Sequence, residues 1–246
     1  MLGQRALRSI AATLLVYAYL LGAHNTIAQP SEAQYPEAQH AHVDRWEAIN
    51  RPLYAFNDVF DGYIVKPVSL TYDRLIPGFA KRGVGNFVAN IDEVNVIAND
   101  LLQLKMDLAV QDSARFLVNS TAGMGGFLDV AGELGLYKHY EDFGQTLGYW
   151  GLGDGGYLVV PFLGASTVRD TVGLVPDLLL NPIYWVTDSN ARSALYALDT
   201  IDTRLSYVAA ESMITGDEYE FVRNAYLQRR EYLVQDGAVY DEFDEY

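Results

Sequence analysis

The sequence predicts a mainly α-helical fold. Three observations lead there: apolar residues recur at helical period along several long stretches, proline and glycine punctuate the gaps, and one short run, Tyr157 to Phe162, reads as a strand. With 246 residues, 50% of them hydrophobic, the chain can bury a core as one domain or two small ones. No self-similarity at a period of roughly 20–50 residues is visible, which argues against a solenoid.

In chain order, Arg5 and Arg8 precede an apolar and small-residue run from Ser9 to Ala23, and Thr26-Ile27-Ala28 follows with small residues at both ends. This is the three-part layout of a secretory signal. The run is about 15 residues, short of the roughly 20 that a spanning helix needs, so cleavage after Ala28 is expected. Residues 29–42 are polar, alanine-rich and aperiodic, a flexible lead-in. A helical domain is expected over 43–235 and an acidic tail over 236–246.

Within the domain, Trp46, Ile49, Leu53, Phe56 and Phe60 share one face of a first amphipathic helix. Lys66-Pro67 and Ile76-Pro77-Gly78 are expected to break the chain, and a longer helix to run from about Val94 to Asn119 with Ile97, Leu101, Leu104, Leu108 and Phe116 on its face. Gly123, Gly125 and Gly126 stop it, since glycine tolerates the positive φ of a helix end. From Gly123 to Gly156 glycines alternate with Phe127, Leu128, Leu134, Tyr137, Phe143 and Trp150. That mixture suggests either a hairpin able to move against lipid or the protein body, or a plain irregular loop. Pro176 to Trp185 reads as a short helix interrupted at Asn181-Pro182. Ala191 to Met213 reads as a helix with Ala191, Ala194, Leu195, Leu198, Leu205, Val208 and Ala209 on one stripe, and Glu218 to Val234 as a last helix with Val222, Tyr226 and Leu233 on one side.

Composition excludes several functions. There is no cysteine, hence no disulfide framework, thiolate metal site or cysteine nucleophile. A formal charge of -15 argues against nucleic acid, which is held by lysine and arginine. It also disfavours electrostatic docking on an anionic leaflet, so membrane contact must rest on apolar and aromatic area, for which 18 tyrosines are suited.

Catalytic signals fail on inspection. Ser166 in Gly164-Ala165-Ser166-Thr167-Val168 lacks the glycine two residues on that a nucleophile elbow requires, and His139 alone could serve it as a base in the body of the chain. Zinc bound by histidines fails on ligand count. Gly123-Met124-Gly125-Gly126 has no following Gly-Lys-Ser/Thr, so a helix stop and hinge outweighs a phosphate loop. Asp129, Glu141, Asp142 and Asp154 read as solvated carboxylates of an acidic chain. No catalytic residue, metal or cofactor is expected.

The polar residues that stand out lie along apolar helices: Asn50, Arg51, Asn57 and Asp61, then Asn86, Asn90, Asn99, Arg115 and Asn119. Asn50, Asn57 and Asp61 are offset by seven and four and line one stripe, as do Arg115 and Asn119. Such groups either satisfy one another in a buried network or line a wet passage for a polar head group. The pattern favours the network.

These residues carry a resemblance. Asn50-Arg51 with Tyr54, Phe56-Asn57 and Asp61, followed by Tyr63-Ile64-Val65-Lys66-Pro67-Val68, resembles the opening signature of the MlaA (VacJ) family of outer-membrane lipid-transport lipoproteins. The likeness continues through Asn86-Phe87 with Asn90, Arg115-Phe116 with Asn119, Gly123-Met124-Gly125-Gly126-Phe127, Phe143-Gly144-Gln145-Thr146-Leu147-Gly148 and Arg169-Asp170, and ends near Arg229. It implies a ring-like bundle of amphipathic interfacial helices in the inner leaflet of the outer membrane, with a central channel and a glycine-rich hairpin over about Gly123 to Leu147, hinged at Gly123, Gly125, Gly126, Gly144 and Gly148. It further implies removal of misplaced phospholipid from the outer leaflet, transfer to a periplasmic lipid-carrier protein, and association with a trimeric porin. A non-transporting scaffold that binds porins is the alternative. Three departures from the family pattern stand out: no lipid-modified cysteine follows the leader, Val94 replaces a proline, and Gly156 and Ala165 replace two more.

Overall fold

The computed structural model describes residues 44–208 and 210–237. The expected signal peptide, lead-in and most of the acidic tail lie outside them, as does Ala209. The described residues are mostly helical, with one small sheet.

Helix α1, Glu47–Phe60, continues without a break through a π-helical turn, Asp61–Val65, into α2, Lys66–Leu75. Lys66-Pro67 therefore does not interrupt the chain. The wider π turn just ahead of Pro67 makes room for its ring and absorbs the missing N–H. The break falls at Ile76, extended at φ -95 and ψ 128 as a residue before proline must be.

The expected helix from Val94 to Asn119 is two helices, α3, Gly78–Leu102, and α4, Met106–Thr121. Between them Leu104 takes φ 62, so the chain reverses with neither glycine nor proline at the turn. Of the face expected there, Leu101 and Leu104 point outward, 48% and 73% exposed.

The glycine-rich stretch folds back through turns and two short helices, without strand pairing. Helix α5, Val130–Glu133, is capped by Asp129, which accepts from Gly132 N at 3.1 Å. Helix α6, Phe143–Tyr149, is capped by Asp142, which accepts from Gln145 N at 2.8 Å. Strands β1, Tyr157–Val160, and β2, Gly164–Thr167, form an antiparallel hairpin in the register Tyr157 to Thr167 and Val160 to Gly164. Helix α7, Val168–Leu180, starts well before the expected Pro176, because Thr167 caps it by accepting from Asp170 N at 3.1 Å. A 3-10 turn at Pro182–Trp185 leads to α8, Ser189–Tyr207; a second at Ala210–Met213 leads to α9, Glu218–Val234, whose ends are those expected from sequence.

The elements close a circuit: α1 packs on β1, β1 on α7, α7 on α3, α3 on α8 and α8 on α2, which the π turn joins back to α1. Helix α4 lies along α3, α6 packs on α7, and α9 packs on α6 and β2. Apolar packing is confined to small clusters: Val88, Leu178, Ile183 and Tyr196 in one, Tyr157, Val159 and Tyr219 in another, Leu163 and Leu174 in a third. Among the described residues no helix is long and apolar enough to cross a membrane.

Candidate functional site: a polar interior under an apolar shell

Amphipathic helices of water-soluble proteins turn apolar stripes inward. Here several do the reverse. On α1, Asn50 is fully buried while Ile49, Phe56 and Val59 are exposed. On α4, Asp112, Arg115 and Asn119 are buried, and Met106, Val110 and Leu117 face out. On α7, Arg169, Asp170 and Asp177 are buried, and Val172, Val175 and Leu179 face out. The stripe expected on α8 is likewise not the buried one: Ala191 and Ala194 are exposed, and Tyr196, Thr203 and Arg204 are buried. Helix α9 buries Arg223 and Arg230 beside Tyr219.

The inward asparagines and arginines have partners. The Asn50 amide donates to Tyr157 O at 3.1 Å and its oxygen accepts from Val159 N at 2.9 Å. Two turns on, the Asn57 amide donates to Val160 O at 2.9 Å and its oxygen accepts from Phe162 N at 2.6 Å. Asparagines seven apart thus hold the backbone of β1 against α1, supplying the partners an edge strand would otherwise lack. Asp61 receives a bidentate pair from Arg204, both contacts at 2.7 Å. Arg51 stays at the surface, on Glu47 at 2.6 Å and Asp217 at 2.8 Å, with its guanidinium 4.5 Å over the Tyr219 ring. Phe56 stacks edge-on against Phe162 at 5.0 Å.

A second network anchors the glycine-rich stretch. Arg115, 3% exposed, donates to Glu93 at 3.0 Å, to Asp129 at 3.4 Å and to the carbonyl of Leu136. Asn119 donates to Asp129 at 2.9 Å and accepts from Ala131 N at 2.9 Å. Asn90 reaches Ser120 Oγ at 2.9 Å and Gly125 O at 3.4 Å, and Asn86 reaches Phe127 O at 3.4 Å. Phe87 packs on the Val88 cluster. Burial pushes the Glu93 carboxyl up to about 7 even with Arg115 beside it.

A third network joins α3, α6, α7 and α9. Asn99 contacts Asp177 at 3.3 Å and accepts from Thr146 at 2.8 Å. Gln103 donates to Glu141 at 2.7 Å, and Arg230 donates at 2.9 Å to both Asp142 and Asp170. Arg169 also holds Asp170, at 3.0 Å. Burial pushes Asp142 up, but Arg230 more than reverses this and leaves it below the usual carboxylate range. Asp177, buried and near Asp142, is pushed well above that range. Glu141 and Asp142, expected in solvent, are 6% and 5% exposed, because the backbone around them wraps under α3 and α9.

Four of the five glycines expected as hinges are closely packed. A Cβ on Gly123 would lie 2.3 Å from Leu128 O, one on Gly126 (φ 95) 2.4 Å from the Asn90 Cβ, and one on Gly144 2.6 Å from Asp170. One on Gly148 would meet Val234 at 2.8 Å, whereas Gly125 has room.

The Ser166 hydroxyl sits on Thr171 at 2.9 Å, and His139 stands between Asp100 at 3.3 Å and Asp112 at 2.9 Å. Sequence reasoning passed over Asp112, Arg204 and Arg230. Their spacing gave a signal, since Asp112, Arg115 and Asn119 repeat at helical period, but the stripe looks solvated until the opposite, apolar stripe is seen to face out.

Fold and interior together define a closed circuit of helices with polar groups inside and apolar ones outside. Residues 42–233 match the model of the MlaA lipoprotein family, and the chain belongs to that family. It is 35% identical over 207 residues to the intermembrane phospholipid transport system lipoprotein MlaA of Shigella flexneri, covering 82% of each chain. To the protein of the same name from Escherichia coli K12 it is 34% identical, again with 82% of each covered. A solved structure described under the structural basis for maintenance of bacterial outer membrane lipid asymmetry superposes at a TM-score of 0.70, with 31% identity, over 78% of this chain and 98% of that one.

Proposed function

We propose that this protein transports phospholipid between the membranes of the bacterial envelope, seated in one leaflet of the outer membrane. The observation that carries this reading is the exposed apolar face that α1, α4 and α7 each present over buried polar groups. Exposed apolar side chains of this number are costly in water and at home in acyl chains, while buried asparagine and arginine networks hold the helices together where apolar packing is thin. The names of the relatives support lipid transport.

On this reading phospholipid leaves the outer leaflet through the middle of the helical circuit. Apolar side chains accept the acyl chains, and Asn86, Asn90, Arg115 and Asn119 brace the helices beside the path. The lipid passes to a periplasmic carrier protein, and a trimeric porin is the membrane partner. No covalent chemistry and no cofactor is part of the proposal.

The test has two arms. Lipid extracted from the purified full chain should appear by mass spectrometry in roughly stoichiometric amount, and its absence would favour a porin-bound scaffold that carries no lipid. Replacing Ile49, Phe56 and Val59 by serine should lower flotation with phosphatidylethanolamine vesicles at least ~10-fold, since each side chain contributes about 1.5–3 kcal/mol when fully buried in hydrocarbon. Unchanged flotation would remove the membrane seat.

A further inference from the structure

Asp100, at the end of α3, and Asp112, on α4, are fully buried, and His139 reaches them from the segment between α5 and α6. One ligand atom from each of the three lies within 4.8 Å of the others. His139 Nε2 lies 3.3 Å from Asp100 Oδ1 and Nδ1 lies 2.9 Å from Asp112 Oδ2, while Asp100 Oδ2 and Asp112 Oδ1 have no hydrogen-bond donor. Of the neighbouring cations, Arg115 pairs with Glu93 and Asp129, Lys105 with Glu141 and Asp236, and Lys138 lies 4.6 Å over the Tyr140 ring. Two buried carboxylates thus meet on one imidazole, each with one oxygen left without a donor.

We propose that Asp100, Asp112 and His139 bind a divalent metal ion of the zinc type, which clasps the segment between α5 and α6 onto the α3 and α4 pair. Charge favours it. A divalent cation with two carboxylates and a neutral imidazole sums to zero in a buried site. The donor set favours zinc over calcium or magnesium, which take oxygen ligands, because an imidazole nitrogen with carboxylate oxygens suits zinc. Three protein ligands leave a fourth position, and the His139 side chain, 24% exposed, opens the site to solvent for entry and for a bound water. Counting histidines alone hides such a site, since two of its three ligands are carboxylates.

The experiment uses the full chain in detergent, stripped with chelator and dialysed, then titrated with zinc or cobalt alone. One zinc per chain is expected by elemental analysis, with a rise in Tm of about 2 °C or more at saturation. Cobalt should give the visible absorption of a tetrahedral site. Asp112→Asn and His139→Gln should each weaken binding at least ~10-fold while keeping the far-UV circular dichroism of the parent. Binding that survives both substitutions would place the ion elsewhere, on His24, His40 and His42 for instance, and would overturn the site, as would no binding at all. Should either variant fail to fold, X-ray absorption of the parent's zinc complex decides: one imidazole with oxygen donors supports the site, and two or more imidazoles refute it.

Discussion

At the scale of single residues, this molecule depends on side chains that do a backbone's work. Asn50 is fully buried and pairs with the carbonyl of Tyr157 and the N–H of Val159, so Asn50→Ala strands two backbone groups and leaves a void. A loss of about 3 kcal/mol is expected in denaturant unfolding in detergent, given roughly 1–3 kcal/mol for each buried group left unpaired. Two buried carboxylates should respond to pH with opposite sign. Asp142 has a folded pKa below its unfolded value of about 3.9, so its contribution is present above that value and lost as pH falls below it. Asp177 has a folded pKa well above its unfolded value, so its contribution is full below about 3.9 and lost as pH rises through the folded value. Asp142→Asn should therefore destabilise at neutral pH, by about 3 kcal/mol because Arg230 loses a buried partner, and should flatten the acid limb. Asp177→Asn keeps an oxygen to accept from Phe143 N and should be more stable than the parent above neutral pH. Unfolding free energies of the two variants across pH 3–9 would check both, and slopes of the same sign would contradict this assignment.

At the scale of elements, close backbone approach sets where helices sit. A Cβ on Gly173 would lie 2.6 Å from Gly144 N and 3.0 Å from Gly144 Cα, so the contact between α6 and α7 is backbone on backbone and has no side chain to move aside. Gly173→Ala should destabilise by about 2–3 kcal/mol through overpacking, measurable as a fall in Tm, whereas Gly135→Ala meets open space and suffers only the backbone strain of φ 83. Element boundaries were legible where local chemistry decides them. The last helix, the stop at Ile76-Pro77 and the strand at Tyr157 follow from periodicity and proline. The split between α3 and α4 was not legible, because Leu104 turns in a left-handed conformation that a leucine rarely adopts, held by Gln103 buried beneath Glu141 and Thr146. The continuity of α1 into α2 was hidden as well, since a π turn ahead of Pro67 has no sequence mark that periodicity detects.

For the molecule as a whole, periodicity told which residues share a face but not which face points inward. The stripe expected on α1 is divided, with Leu53 packed on the Tyr157 cluster and Ile49 and Phe56 exposed, and which side faces out depends on what surrounds the protein. The same ambiguity explains why Glu141 and Asp142 looked solvated and why the Asn50 and Arg115 networks were recognisable as either packing or passage. Net charge then limits how such a molecule meets a membrane. With 32 acidic against 17 basic residues the surface repels an anionic leaflet, and attachment must come from exposed side chains such as Phe79, Leu75 and Trp185. Salt screens the repulsion within a Debye length of about 30 Å at 0.01 M and 8 Å at 0.15 M, and leaves apolar burial nearly untouched. Binding to vesicles containing anionic lipid should therefore strengthen as salt rises between those concentrations, while binding to zwitterionic vesicles stays level. A protein held by lysine and arginine would release under the same change, so flotation across that salt range separates the two modes of attachment without any substitution in the chain.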